Sequence, residues 1–149
     1  MVTDTRTAAH DTKKETSMSS ARITGFGLVV EDLPRSLAFY RELGVDVPEV
    51  DAQTPHAEAK LSDGGKMLWD TVDVVRGFVP DWKAPEGGHQ IALTVELDTP
   101  AEVDAEYERI GSLGYECHTP PWDAVWGQRY ALVLDPDGNV VELFAPLDR

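Results

Sequence analysis

Apolar and polar positions along this chain repeat with two periods, and the same series of periods occurs twice. Residues Ile23-Thr24-Gly25-Phe26-Gly27-Leu28-Val29-Val30-Glu31-Asp32 alternate and predict a strand. Pro34 to Gly44 follow, with Leu37, Tyr40 and Leu43 at helical spacing, proline near the start and glycine at the end, which predicts an amphipathic helix. The plan returns in Gln90-Ile91-Ala92-Leu93-Thr94-Val95-Glu96, a second alternating strand. A second helix then runs from Pro100 to Gly114 with Val103, Tyr107, Ile110 and Leu113 on one side. Each half next joins two strands across an Asp-Gly turn, Leu61-Ser62-Asp63-Gly64-Gly65-Lys66-Met67 and Leu134-Asp135-Pro136-Asp137-Gly138-Asn139-Val140. Each half therefore reads as a βαβββ module, the first over 22–82 and the second over 89–147. The expected class is α+β: two tandem modules forming a curved, cup-like mixed sheet with helices on its outer face.

Period two also assigns faces. Phe26, Leu28 and Val30 should pack beneath the helices, leaving Gly25, Gly27 and Val29 toward the cup. In the second module Ile91, Leu93 and Val95 should pack, and Gln90, Ala92 and Thr94 should face the cavity. Glycine inside a strand marks close approach of a ligand or another backbone, with a bulge or a dimer contact as the blander reading. Trp122-Asp123-Ala124-Val125-Trp126-Gly127-Gln128-Arg129-Tyr130 is expected to be a loop entering the strand before the last hairpin, stiffened by Pro120-Pro121. Its two tryptophans offer flat stacking surfaces, and Gln128 and Arg129 add polar anchors, as in a small-molecule cleft. Trp82, between the modules, is the candidate opposite wall. The competing reading puts Trp126 and Tyr130 in the core and Trp122 over an apolar edge.

Composition narrows the picture in a few places. Residues 1–20 show neither period and read as a disordered tail, with Met18 an alternative start, which leaves residues 21–149 as one domain. No apolar run approaches the ~20 residues that span a bilayer, and no secretory signal opens the chain, so the cytoplasm is the expected compartment. The net charge of −14 argues against a nucleic-acid partner, which needs clustered Lys and Arg. Cys117 is the sole cysteine, which excludes an intramolecular disulfide. His118 follows it on a strand and points to the other face, so it is badly placed to activate the thiol.

Leu28-Val29-Val30-Glu31-Asp32-Leu33 running into Ser36-Leu37-Ala38-Phe39-Tyr40, with Asp135-Pro136-Asp137-Gly138-Asn139-Val140-Val141-Glu142-Leu143 near the end, resembles the vicinal-oxygen-chelate superfamily. That is the fold group of glyoxalases, bleomycin-resistance proteins and extradiol dioxygenases, and the likeness covers roughly residues 22–147. The resemblance implies a fold more than an activity, since members include isomerases, epimerases, dioxygenases, thiol transferases and metal-free antibiotic binders. In enzymatic members each module supplies two metal ligands, from its first and last strands, around an open coordination site. Matched position by position, this chain has Gly25 where His is usual, Gln90 at the equivalent place in the second module, Glu142 in the last strand and Leu68 in the first hairpin. Gly25 and Leu68 carry no donor, so no cofactor is expected. A single divalent metal is the alternative, held by Gln90 and Glu142 with His89 or Asp70. Without a metal, Glu142 would accept from a ligand or pair with a base such as Arg129, because a buried lone carboxylate is costly.

The function implied is a metal-free protein that sequesters a bulky aromatic or glycopeptide antibiotic, giving drug resistance by binding. Gly25, Gly27, Leu68, Trp82, Gln90, Trp122, Trp126, Arg129, Tyr130 and Glu142 are the candidate contacts. The expected partners are a small, aromatic molecule and a second copy of the chain, each cleft lying where modules meet, with neither nucleic acid nor membrane involved. The alternative is a metal-dependent, glyoxalase-like lyase or isomerase, or a dioxygenase. A metal-free enzyme or metabolite sensor, using Glu142, Tyr130 or His118 as acid or base, is a third reading; the sequence places no two of these within reach.

Overall fold

A computed structural model describes residues 20–148, so the tail expected over 1–20 lies almost wholly outside the described residues. The elements in chain order are β1 (Gly25–Val30), α1 (Leu33–Glu42), β2 (His56–Lys60), β3 (Lys66–Thr71), α2 (Val72–Arg76), β4 (Ala92–Glu96), α3 (Pro100–Ser112), β5 (Cys117–Ala124), β6 (Gln128–Leu134) and β7 (Val140–Pro146). They form two open sheets, ordered β1-β3-β2 and β4-β7-β6-β5. The repeat seen in the pattern is real in three dimensions: in each module the first strand pairs in parallel with the last, and the last pairs antiparallel with the one before it. No helix among the described residues is long and apolar enough to cross a membrane.

The helices start and stop where their side chains dictate. Asp32 caps α1 by accepting from Arg35 N at 3.0 Å, and Gly44 ends it at φ 88°. Thr99 caps α3 by accepting from Glu102 N at 3.2 Å, while Glu102 reaches back to Asp98 N at 3.0 Å, a reciprocal box. Leu33, Leu37, Phe39 and Tyr40 bury one side of α1, and Val103 and Ile110 one side of α3. These meet Met67 and Trp69 of β3 and Ala131, Val133, Val141, Leu143 and Ala145 of the second sheet in one core. The two modules are joined through α1: Tyr40 donates to Asp135 at 2.6 Å, Arg109 pairs with Glu42 at 2.8 Å, and Phe39 meets Tyr115 edge-on at 4.9 Å.

Four expectations change. The chain between Gly44 and His56, with Pro48 and Pro55, forms no regular strand, so module one has three strands against the four of module two. β4 begins at Ala92, which leaves Gln90 outside it and Ile91 79% exposed rather than packed. The segment 122–130 is not a loop but the end of β5, a tight turn and the start of β6. Prolines 120 and 121 fit because β5 is an edge strand whose register shifts on either side of Thr119, so the missing donors interrupt no central ladder. Finally, Phe26 is 40% exposed and packs less than expected, since β1 is the other sheet's edge.

The two glycines of β1 separate into different physical roles. A Cβ on Gly25 would stand 2.5 Å from the Lys66 carbonyl oxygen, whereas one on Gly27 would meet nothing nearer than 3.8 Å. Gly25→Ala should therefore push β1 off β3 and cost about 1–3 kcal/mol. Gly27→Ala should be neutral or stabilising by up to ~1 kcal/mol through the unfolded chain. Urea unfolding of both variants checks the contrast, and equal midpoints would refute it.

Candidate functional site

The register of the second sheet collects an aromatic face. Trp122 lies opposite Tyr130, and Tyr130 opposite Phe144, so three neighbouring strands send rings to one side. Alternate residues on the same strands, Ala131, Val133, Leu143 and Ala145, are fully buried in the core beneath α3. The rings therefore occupy the helix-free face. Tyr130 stacks on Phe144 at 5.8 Å with 27° between planes, and Trp126 approaches Tyr130 edge-on at 5.3 Å. Trp122 closes the group, 5.7 Å from Tyr130 and 6.3 Å from Trp126. Trp126 sits on the β5–β6 turn and remains 59% exposed, which sets aside the reading that it fills core.

Polar groups border these rings. Glu142 shares the face because it pairs with Leu132 and Thr94 across the sheet, and it accepts from the Tyr130 hydroxyl at 3.2 Å. Burial, followed by the Glu142 charge, raises the Tyr130 phenol above its ordinary value, so the hydroxyl stays a donor. Gln128 is beside them and accepts from the Trp126 indole at 3.0 Å. Tyr130 and Glu142 are thus two acid–base groups within reach, which the sequence alone did not place together. His118 is not with them and bonds Thr119 at 2.8 Å.

Arg129 does not belong to this face, and its expected pairing with Glu142 is corrected. It is the strand neighbour of Tyr130 and so points the other way, where it pairs with Asp104 of α3 at 2.9 Å and Asp123 at 2.9 Å. Those carboxylates, Asp104 first, raise its pKa further. Trp82 is also elsewhere: its ring lies 5.9 Å from the Arg76 guanidinium, beside a hollow of about 290 Å³ that Glu31, Thr71 and Asp73 help to line. Gly25, Gly27 and Leu68 share the helix-free face of the first sheet, with Gly27 opposite Leu68.

These residues do not fit a divalent metal. Gly25 and Leu68 offer no donor, and Gly25 could not be replaced by a ligand residue without the clash of its Cβ. Thr94, not Gln90, is the ladder partner of Glu142; Gln90 and His89 are exposed residues before β4 begins. Asp70 is taken by His56 at 2.7 Å. Among the described residues no three His, Cys, Asp or Glu side chains are grouped to hold a metal ion.

Sequence reasoning passed over His56. It sits opposite Asp70, which it meets through Nδ1, and its Nε2 meets Glu58 at 2.9 Å. Carboxylates on both nitrogens, Glu58 first, raise its pKa, and the same contact holds the Glu58 carboxyl below its usual range. The signal available was His56-Ala57-Glu58-Ala59-Lys60, a polar–small alternation directly before the Asp63-Gly64 turn.

Residues 22–143 match the family model of the glyoxalase/bleomycin resistance protein/dioxygenase superfamily. An uncharacterized protein of Mycobacterium bovis is 32% identical over 126 residues, covering 80% of each chain. The uncharacterized protein YraH of Bacillus subtilis is 27% identical over 127 residues, covering 80% of this chain and 94% of that protein. Among solved structures, a glyoxalase/bleomycin resistance protein/dioxygenase from Nocardioides superposes with a TM-score of 0.73 at 28% identity, covering 95% of this chain and 94% of that one. A family enzyme from Burkholderia phytofirmans shares the fold with a TM-score of 0.73 at 17% identity, covering 85% of this chain and all of the other.

Proposed function

Because the chain belongs to the glyoxalase/bleomycin resistance protein/dioxygenase superfamily, a family defined by fold more than by reaction, we propose that it works as a metal-free binder of a bulky aromatic molecule. Within that reading the ligand is an aromatic or glycopeptide antibiotic, and protection follows from its sequestration. The carrying observation is the half-open group of Trp122, Trp126, Tyr130 and Phe144 with Glu142 at its border. Trp126, 59% exposed, leaves indole surface for a flat partner, and a border carboxylate would fix its orientation. Two copies are part of the proposal. β1 and β4 each end a sheet, and Phe26 and Ile91 stand exposed along or beside them, so a partner's edge would complete both.

Tryptophan fluorescence tests the reading. Trp69 is fully buried and supplies a constant background, while Trp122 and Trp126 should be quenched on titration with aromatic and glycopeptide antibiotics. Replacing Trp126 by Ala should weaken binding by about 1–3 kcal/mol, roughly five- to 150-fold. No saturable quenching across the panel, with no gain in resistance of an expressing host, would count decisively against sequestration. Stoichiometric metal in protein purified without a metal-binding tag, lost in Glu142→Ala, would restore the metalloenzyme alternative.

A further inference from the structure

The first sheet carries a second polar arrangement that the aromatic face does not use. Ala57 and Ala59 are buried, so β2 sends His56, Glu58 and Lys60 to the helix-free side. Lys66 lies opposite Lys60, and Asp70 opposite His56, on the same side. The result is a chain of contacts: Asp70 to His56 at 2.7 Å, His56 to Glu58 at 2.9 Å, and Glu58 to Lys66 at 3.2 Å. Lys60 and Lys66 balance the two carboxylates and a protonated His56 adds one positive charge, which sets the cluster apart in a protein whose net charge is −14. Beside them β1 presents only Gly25, Gly27 and Val29, which keeps the adjoining floor low.

The two carboxylates are not equivalent. Asp70 faces His56 directly across the ladder and holds Nδ1, which sets the ring and leaves Nε2 to meet Glu58. Glu58 is 45% exposed, and water and salt screen its ion pairs in that setting, so a competing anion displaces it at small cost. We propose that this face is an anion site: a carboxylate or phosphate group accepts from His56 Nε2–H and Lys66 Nζ in place of Glu58, with Lys60 beside them. Asp70 is then a positioning residue and Glu58 a built-in competitor. The site stands on the first sheet alone, and a ligand that used both faces would carry an acidic group as well as an aromatic ring.

Nuclear magnetic resonance of the full chain with labelled histidine tests it, the His56 signal being assigned with His56→Gln. Inorganic phosphate and acetate are the two probes, each against chloride at equal ionic strength. The His56 signal should move saturably with one or both, and the tighter probe names the group. Glu58→Gln should lower the half-saturating concentration roughly five- to tenfold by removing a like charge, and Lys66→Met should raise it. A His56 signal that follows only ionic strength, in wild type and Glu58→Gln alike, would overturn the site. Trp126→Ala should leave phosphate binding unchanged, so failure of the aromatic reading and failure of this one are told apart.

Discussion

Trp69→Ala is expected to lower stability by about 3–5 kcal/mol, the cost of emptying a large, fully enclosed core position. Trp69 is the largest side chain with no exposed surface, and it meets both the helix and the ring system of the first module. Its indole donates to the buried Ser36 hydroxyl at 3.1 Å, and its ring meets Tyr40 at 5.7 Å. A domain of this size has some 5–15 kcal/mol in total, so the variant should melt on the order of 10–20 °C lower. Trp69→Phe keeps an aromatic ring and should lose only about half as much. Calorimetry decides it: a shift below a few degrees for Trp69→Ala would mean that β3 is not pinned to α1 through this residue. Both variants, while folded, should retain the binding faces, because Trp69 points away from them.

How much of this could be read from the chain follows from the same alternation. The strand–helix–hairpin series was legible because apolar periodicity, Pro34 and Pro100 at the helix starts, and Gly44 and Gly114 at their ends all point to the same boundaries. The aromatic residues were legible as a group, but their element was not: two prolines suggest a loop until the edge position of β5 is known. Arg129 shows what a purely local grouping misses. It is next to Tyr130 in sequence, yet one step along a strand moves a side chain to the opposite face, and Asp104 waits there. His56 went unnoticed for the opposite reason. The strand His56–Lys60 is short and lacks β-branched residues, and it exists because Ala57 and Ala59 are small enough to lie against the core. Metal ligands could be tested only in part from the repeat: Gly25 and Leu68 lack donors in the assumed register, but a shift would bring in His89 or Asp70, and it takes the structure to show Thr94 opposite Glu142 and Asp70 paired with His56.

The closing turn of the second module should prove nearly as sensitive as Trp69, for a polar reason. Asp135 is buried and accepts four hydrogen bonds: the Tyr40 hydroxyl at 2.6 Å, Asp137 N at 2.9 Å, and Asn139 N and Nδ2, each at 2.8 Å. Asp135→Ala leaves those donors without their acceptor and should cost about 3–5 kcal/mol, as breaking a buried charged network does. Tyr40→Phe removes one donor, and Asp135 keeps the other three, so about 1–3 kcal/mol is expected. The double variant should cost less than the sum by ~1 kcal/mol or more, because the Tyr40 contact is already lost once Asp135 is gone. Additive losses would show that the two residues do not act on one another. The coupling has a consequence for binding, since β7 starts directly after this turn and carries Glu142 and Phe144. Tyr40→Phe should therefore raise thermal fluctuation at the module junction while leaving tryptophan quenching by ligand intact at low temperature. Loss of quenching in a variant that remains folded would place the junction, and not the aromatic face alone, in control of the site.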